Sequence, residues 1–147
     1  MGVAYADTSF LISLYGQDRY TASSRAAVIA ANAPLLLCEL NRLEFENALR
    51  LLRFRKLVAP RFMNEALAAL QRDEQAGLLQ ASSCDWSAVF TLARQISARR
   101  TARGGHRTMD LLHVAAALAH PVRQFFSFDA RQRTVAGQEG LDLNGGI

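Results

Sequence analysis

Apolar residues follow two rhythms along this chain. Short unbroken runs at Val3–Ala6, 34–37, 78–81 and 124–128 predict buried strands, and 141–143 predicts a weak fifth. Between them the spacing turns helical. Asp7-Thr8-Ser9 reads as a cap on a helix to about Tyr15, and a second helix covers Thr21–Ala31. Residues 40–56 predict a long helix, and Pro60, at a first helical position, opens another that ends near Gly77. Asp85 is placed to cap a helix reaching about Arg100. The loop 101–107 follows, with Gly104-Gly105 inside it, and Thr108 then caps a last apolar helix. Short apolar strands alternating with helices predict an α/β fold with a short, mostly parallel central sheet of four to five strands, flanked by helices. Neither repeat, low-complexity tract nor linker interrupts the pattern, so residues 1–147 are expected to form a single domain.

Four carboxylates break this pattern where apolar side chains are due. Asp7 follows the run Val3-Ala4-Tyr5-Ala6, and Asp129 closes Phe125-Phe126-Ser127-Phe128. Asp110 begins the run Asp110-Leu111-Leu112-His113-Val114-Ala115-Ala116-Ala117. Glu44 lies inside the 40–56 helix, where about 100° per residue puts it on one arc with Leu40, Asn47, Ala48 and Leu51. Arg42, Glu46, Arg50 and Arg53 gather on the other side, so Glu44 is expected inward and Glu46 outward, with Glu39 ahead of the helix as the main rival. An uncompensated buried carboxylate costs several kcal/mol, and several together repel one another. A bound divalent cation resolves both problems, and hard oxygen donors favour Mg²⁺ or Mn²⁺ over Zn²⁺. Each acid also has a plainer reading. Asp7 is a good N-cap, Asp110 suits a helix dipole, Asp129 suits a turn, and Glu44 has arginines within reach, Arg55 among them. His113, one turn beyond Asp110, reads as a satisfied core or interface residue or as a partner of Asp110.

Charge adds a class of ligand only through its distribution. The 147 residues carry a net charge of +4, and of the seventeen basic residues only Lys56 is a lysine. Arg94, Arg99, Arg100, Arg103 and Arg107 crowd one segment, and Arg50, Arg53, Arg55 and Lys56 another. A basic exterior around an acidic site suits a polyanionic substrate that must also meet metal ions. No apolar run approaches the roughly 20 residues of a membrane span. The first residues lack the basic and long apolar regions of a signal peptide, so a cytoplasmic location is expected. Cys38 and Cys84 are too few for a disulfide framework or a zinc site. The chain has no phosphate-cradling glycine motif with lysine, and no nucleophile elbow.

The acidic blocks resemble those of PIN domains. Ala6-Asp7-Thr8-Ser9-Phe10-Leu11-Ile12 is similar to the opening block, and Leu43-Glu44-Phe45-Glu46-Asn47-Ala48-Leu49-Arg50 to the second. Thr108-Met109-Asp110-Leu111-Leu112-His113 is similar to the third, and Phe126-Ser127-Phe128-Asp129-Ala130-Arg131-Gln132 to the fourth. Their order, spacing and the chain length resemble a VapC-type toxin. The resemblance implies a Mg²⁺- or Mn²⁺-dependent endoribonuclease with Asp7, Glu44, Asp110 and Asp129 as catalytic and metal-binding residues. It implies Ser127 close to the metal, an RNA substrate, a homodimer, and a cognate antitoxin whose tail blocks the acidic pocket. The loop leading into the Asp110 helix suggests that Arg103, His106 and Arg107 grip RNA phosphates. Two rivals are a catalytically silent PIN-like module that binds RNA or protein, and a Mg²⁺-dependent receiver-type phosphoacceptor domain. A receiver wants paired acids after the first strand and a lysine after the fifth, whereas the lone lysine here is Lys56. A phosphatase of the haloacid-dehalogenase type needs an acid where Ser9 stands.

Overall fold

The computed structural model describes residues 2–143. Four of its elements are strands: β1 (Val3–Ala6), β2 (Leu35–Leu37), β3 (Leu79–Ala81) and β4 (Val122–Phe126). Seven are helices: α1 (Thr8–Tyr15), α2 (Thr21–Ala31), α3 (Glu39–Phe54), α4 (Pro60–Gln75), α5 (Trp86–Gly104), α6 (Thr108–Leu118) and α7 (Ala130–Gln138). Every pairing in the sheet is parallel, in the order β3-β2-β1-β4.

Alternation along β1 explains why both faces of the sheet are covered. Val3 and Tyr5 point into one apolar cluster, which also takes Leu36 and Phe125 and is closed by Ile96 of α5, Val114 of α6 and Val135 of α7. Ala4 and Ala6 point the other way, into a cluster shared with Leu35, Leu37 and Phe126 and closed by α1 to α4. A two-sided sheet needs this continuous apolar sequence. Tyr5, Phe10, Phe125 and Phe126 are at most 1% exposed. Each such side chain stabilises the fold by about 1.5–3 kcal/mol through burial. Phe10 stacks on Phe126 at 4.9 Å between ring centroids, and Tyr5 on Phe125 at 5.5 Å.

The sheet order has a functional consequence. From β1 the chain builds outward through β2 and β3, then crosses back to place β4 on the opposite side of β1. Beyond the carboxyl ends of β1 and β4, where the order reverses, an open α/β sheet leaves a crevice for ligands.

Several element boundaries differ from the sequence expectation. The fifth strand reduces to one parallel bridge between Gln124 and Asp142, because Leu141 turns into the core and the chain touches β4 only briefly. β4 ends at Phe126 rather than at residue 128, since Ser127 leaves the ladder to bond side chains. Helix α5 runs on through Gly104, and Gly105 ends it in the left-handed region at φ 66°. The expected seven-residue loop therefore shrinks to residues 105–107. Thr108 is the first residue of α6, and the capping position falls to Arg107, which makes no side-chain cap. Among the described residues no helix is long and apolar enough to cross a membrane.

Candidate active site

Asp7, Glu44, Asp110 and Asp129 line one cleft of about 510 Å³, together with Thr8, Ser9, Arg107 and His113. It opens where the sheet order reverses. Asp7 directly follows β1, Asp129 lies just past β4, Asp110 is in the first turn of α6 and Glu44 in the second turn of α3.

Asp7 is only 3% exposed. Its Oδ1 accepts from the backbone N–H of Phe10 (2.9 Å) and from Ser9 Oγ (2.7 Å), and its Oδ2 accepts from Ser127 Oγ (2.6 Å). The capping role anticipated from sequence is thus real, but it leaves the carboxylate facing the cleft. Burial raises the Asp7 pKa, against the lowering pull of the bonds from Ser127, Phe10 and Ser9. Ser127 itself is fully buried. It lies beneath Asp7, where it also accepts from the Asp129 backbone N–H (3.0 Å), so its place is that of a support for two acids rather than a substrate-facing group.

Glu44 accepts from Thr8 Oγ1 (2.7 Å) and from Nε2 of His113. Burial works against its charge, but the bonds from His113 and Thr8 win and hold its pKa below the usual carboxylate range. His113 does not reach Asp110. Its Nδ1 meets the Tyr5 hydroxyl at 2.7 Å, so Tyr5, His113 and Glu44 form one chain from the core to the cleft. With Glu44 ionised and the imidazole neutral, Nε2 carries the ring proton and Tyr5 donates to Nδ1.

The face of α3 is turned relative to the sequence expectation. Leu40, Asn41, Phe45 and Leu49 are its buried residues, while Leu51 is exposed. Glu44 sits at the margin of that face, which is where a side chain can reach a cleft. The other two glutamates go elsewhere: Glu39 accepts from the Cys84 backbone N–H (3.2 Å), and Glu46 pairs with Arg50 (3.4 Å). The alternative, a salt bridge from Glu44 to Arg55 or another arginine, is not formed among the described residues.

Arg107 enters the cleft as an internal cation. Its Nε donates to Asp110 Oδ2 (2.8 Å), and its Nη2 to Asp110 Oδ1 (3.2 Å) and Asp129 Oδ2 (3.0 Å). Asp129 also caps α7 through the N–H groups of Arg131 and Gln132. With Arg107 in this position, no group of three or more His, Cys, Asp or Glu side chains forms a metal cage among the described residues. The Arg107 side chain is 67% exposed, however, so its ion pairs with Asp110 and Asp129 rather than close packing hold it in the cleft.

The four acids expected from the sequence all line this cleft, and of their supports Ser127 and Arg107 are among the residues singled out there, in other roles. Thr8 and Ser9 were visible only as part of a cap motif, and Tyr5 only as core. Of the loop residues expected to grip phosphate, Arg107 faces the acids, while Arg103 and His106 line a separate pocket.

The PIN domain family matches residues 4–138, and the chain belongs to that family. PIN domains are as a class metal-dependent nucleases, which separates this chain from the receiver and phosphatase alternatives. Comparison with curated proteins returns no match.

Proposed function

We propose that this protein is a Mg²⁺- or Mn²⁺-dependent endoribonuclease and the toxin of a type II toxin–antitoxin pair. The observation that carries the reading is the convergence of Asp7, Glu44, Asp110 and Asp129 on one cleft at the reversal of the sheet order. Acids this close call for a cation. Arg107 serves as one for Asp110 and Asp129, whereas the hydrogen bonds to Asp7 do not offset its burial. The donor set, carboxylate oxygens with no thiolate, fits a hard divalent ion once Arg107 swings out. Asp7 and Asp110 would hold the ion, with Asp129 and Glu44 completing its surroundings directly or through water. When bound, such an ion would lower the pKa of a water beside the scissile bond and offset charge on a phosphodiester.

The chain's own residues do the positioning. Ser9 and Ser127 fix the rotamer of Asp7, and Thr8 and His113 fix that of Glu44. A carboxylate held below its usual pKa is a weak base near neutrality, so Glu44 serves as a permanent anion that orients cation and water. Arg107, released from Asp110 and Asp129, is placed to meet the phosphate.

The order of the four acidic blocks supports the toxin reading, with a cognate antitoxin over the cleft, a homodimer, and a cytoplasmic location. Purified protein incubated with labelled RNA should cut it in Mg²⁺ or Mn²⁺ and not in a chelator. Equal cleavage with the chelator would overturn the metal-dependent mechanism. Induced expression should arrest growth, and co-expression of a small protein encoded beside it should relieve the arrest. Cleavage without growth arrest would keep the nuclease and remove the toxin role.

A further inference from the structure

Arg103 and His106 line a second pocket of about 300 Å³ between the end of α5 and α7, with Arg99, Arg100 and Arg131. Its charge is unevenly answered. Glu139 binds Arg99 (2.6 Å) and Arg100 (3.0 Å), and Arg100 also donates to the Gln138 carbonyl (3.2 Å). Arg103 and Arg131 have no ion-pair partner among the described residues. His106 is only 9% exposed, and its buried Nδ1 has no hydrogen-bond partner there. A buried polar atom without a partner is uncommon and calls for an explanation.

The backbone is shaped to make this pocket. The His106 ring stands directly over Gly104, where a Cβ would collide with Nε2, so only glycine admits it. Gly105, at φ 66°, then reverses the chain. As a result His106 faces the basic pocket while its neighbour Arg107 faces the acids. Across the groove the chain repeats the division, with Asp129 in the acidic cleft and Arg131 in the basic pocket. The two sites share these two short stretches of wall.

We propose that the basic pocket is a phosphate subsite, holding a backbone phosphate of the same RNA strand whose neighbouring phosphodiester enters the acidic cleft. Guanidinium groups and an imidazole around a small polar hollow match the charge and the several acceptor oxygens of a phosphate. The shared wall puts the pocket within reach of a strand lying across the carboxylates. The strand's identity as RNA rests on the nuclease reading above. The pocket's preference for phosphate does not.

The test measures binding of a short labelled RNA to the full chain in a chelator, as a function of salt, so that cleavage plays no part. Arg103→Ala/Arg131→Ala alters two exposed side chains outside the catalytic cleft. It should weaken RNA binding about tenfold and flatten the log–log salt slope by about 0.7, the value for one phosphate contact on a single strand. Arg25→Ala/Arg61→Ala, which removes the same charge from α2 and α4, should leave the slope unchanged. Equal flattening in both double variants would mean a diffuse basic field and would overturn the subsite. An unchanged slope in Arg103→Ala/Arg131→Ala would also overturn it, even if the wild type cuts RNA. A reduced slope in a protein that never cuts RNA would keep the subsite and remove the nuclease reading. Inorganic phosphate is the second probe, with the His106 ring resonances as reporter. They should move in the wild type and not in Arg103→Ala/Arg131→Ala. Such movement with no loss of RNA slope would make this a free-anion site and overturn the strand assignment.

Discussion

The acidic cleft and the basic pocket share two short stretches of wall, yet they treat charge in opposite ways. In the cleft every carboxylate already has internal donors: Ser9 and Ser127 for Asp7, Thr8 and His113 for Glu44, and Arg107 for Asp110 and Asp129. In the pocket Glu139 answers only Arg99 and Arg100, and an imidazole is buried with a nitrogen unpartnered. The difference separates two tasks. A cleft that must hold reacting groups in fixed geometry needs each acid oriented before a ligand arrives. A pocket that only grips a strand can leave its cations waiting, because the strand brings its own negative charge.

The largest test of this comparison is removal of charge from the cleft without change of shape. Asp110→Asn and Asp7→Asn should each lower RNA cleavage by about a thousand-fold, the equivalent of several kcal/mol of lost charge stabilisation. RNA affinity measured in a chelator should not fall. Cleavage within a few-fold of wild type, at equal protein concentration, would show that the two acids are caps and nothing more.

Next in size is the choice among glutamates. Glu44→Gln should reduce cleavage by about a hundred-fold, since it removes the charge that Thr8 and His113 orient. Glu39→Gln and Glu46→Gln should be close to wild type, because those side chains bind the Cys84 backbone and Arg50 instead. Loss of activity in Glu39→Gln alone would move the site to the other end of that turn.

A smaller effect is expected at the boundary between the two regions. Arg107→Ala leaves Asp110 and Asp129 without their internal cation. Titration with Mn²⁺, followed by electron paramagnetic resonance, should show about tenfold tighter binding, since one competing unit charge has gone. The metal-free variant should melt at a lower temperature than the wild type. Weaker Mn²⁺ binding would instead mean that Arg107 holds the acids in place for the ion.

The smallest effect is on stability against pH without metal. The raised pKa of Asp7 means that the folded chain holds this proton more tightly than the unfolded chain. Stability from this group is greatest at low pH. It declines as pH rises from the ordinary carboxylate value of 3.8 through the raised folded value, then levels off. Glu44 has the opposite sign: its contribution is present above the ordinary value of 4.5 and is lost as pH falls through its lowered folded value. Relative to metal-free wild type, Asp7→Asn should therefore gain in melting temperature as pH rises across the first window. Saturating Mg²⁺ should cancel that gain. A difference independent of pH would trace it to packing rather than to the Asp7 charge.

Much of the cleft was legible because its acids interrupt local patterns. Asp7 stands where an apolar strand stops, and Asp110 where an apolar helix starts, so each is conspicuous within a few residues. Glu44 was harder. Its helix is turned by about one residue from the arc that hydropathy predicts, since Asn41 is buried and Leu51 is exposed, contrary to their polarity. Asn41 is buried because its side chain satisfies backbone groups of the sheet edge: it accepts from the Cys38 N–H (2.7 Å) and donates to the Leu36 carbonyl (2.9 Å). No hydropathy pattern encodes that exchange. The extension of α5 through Gly104 departs from the sequence expectation for a related reason. Two glycines in a row read as a loop, whereas the first continues the helix beneath the His106 ring.

What the sequence by itself determined is the alternation of buried strands and helices, and with it four acids beside a parallel sheet. Those features follow from local periodicity, which records how each segment divides between core and solvent. Only the tertiary structure decided the partners. Glu44 meets His113 across 69 positions, Ser127 meets Asp7 across 120, and Arg99 meets Glu139 across 40. Adjacent residues such as His106 and Arg107 part to opposite sites because a left-handed glycine turns the chain between α5 and α6. Such pairings depend on where packed elements bring distant side chains together, and packing is a property of the whole fold rather than of any stretch within it.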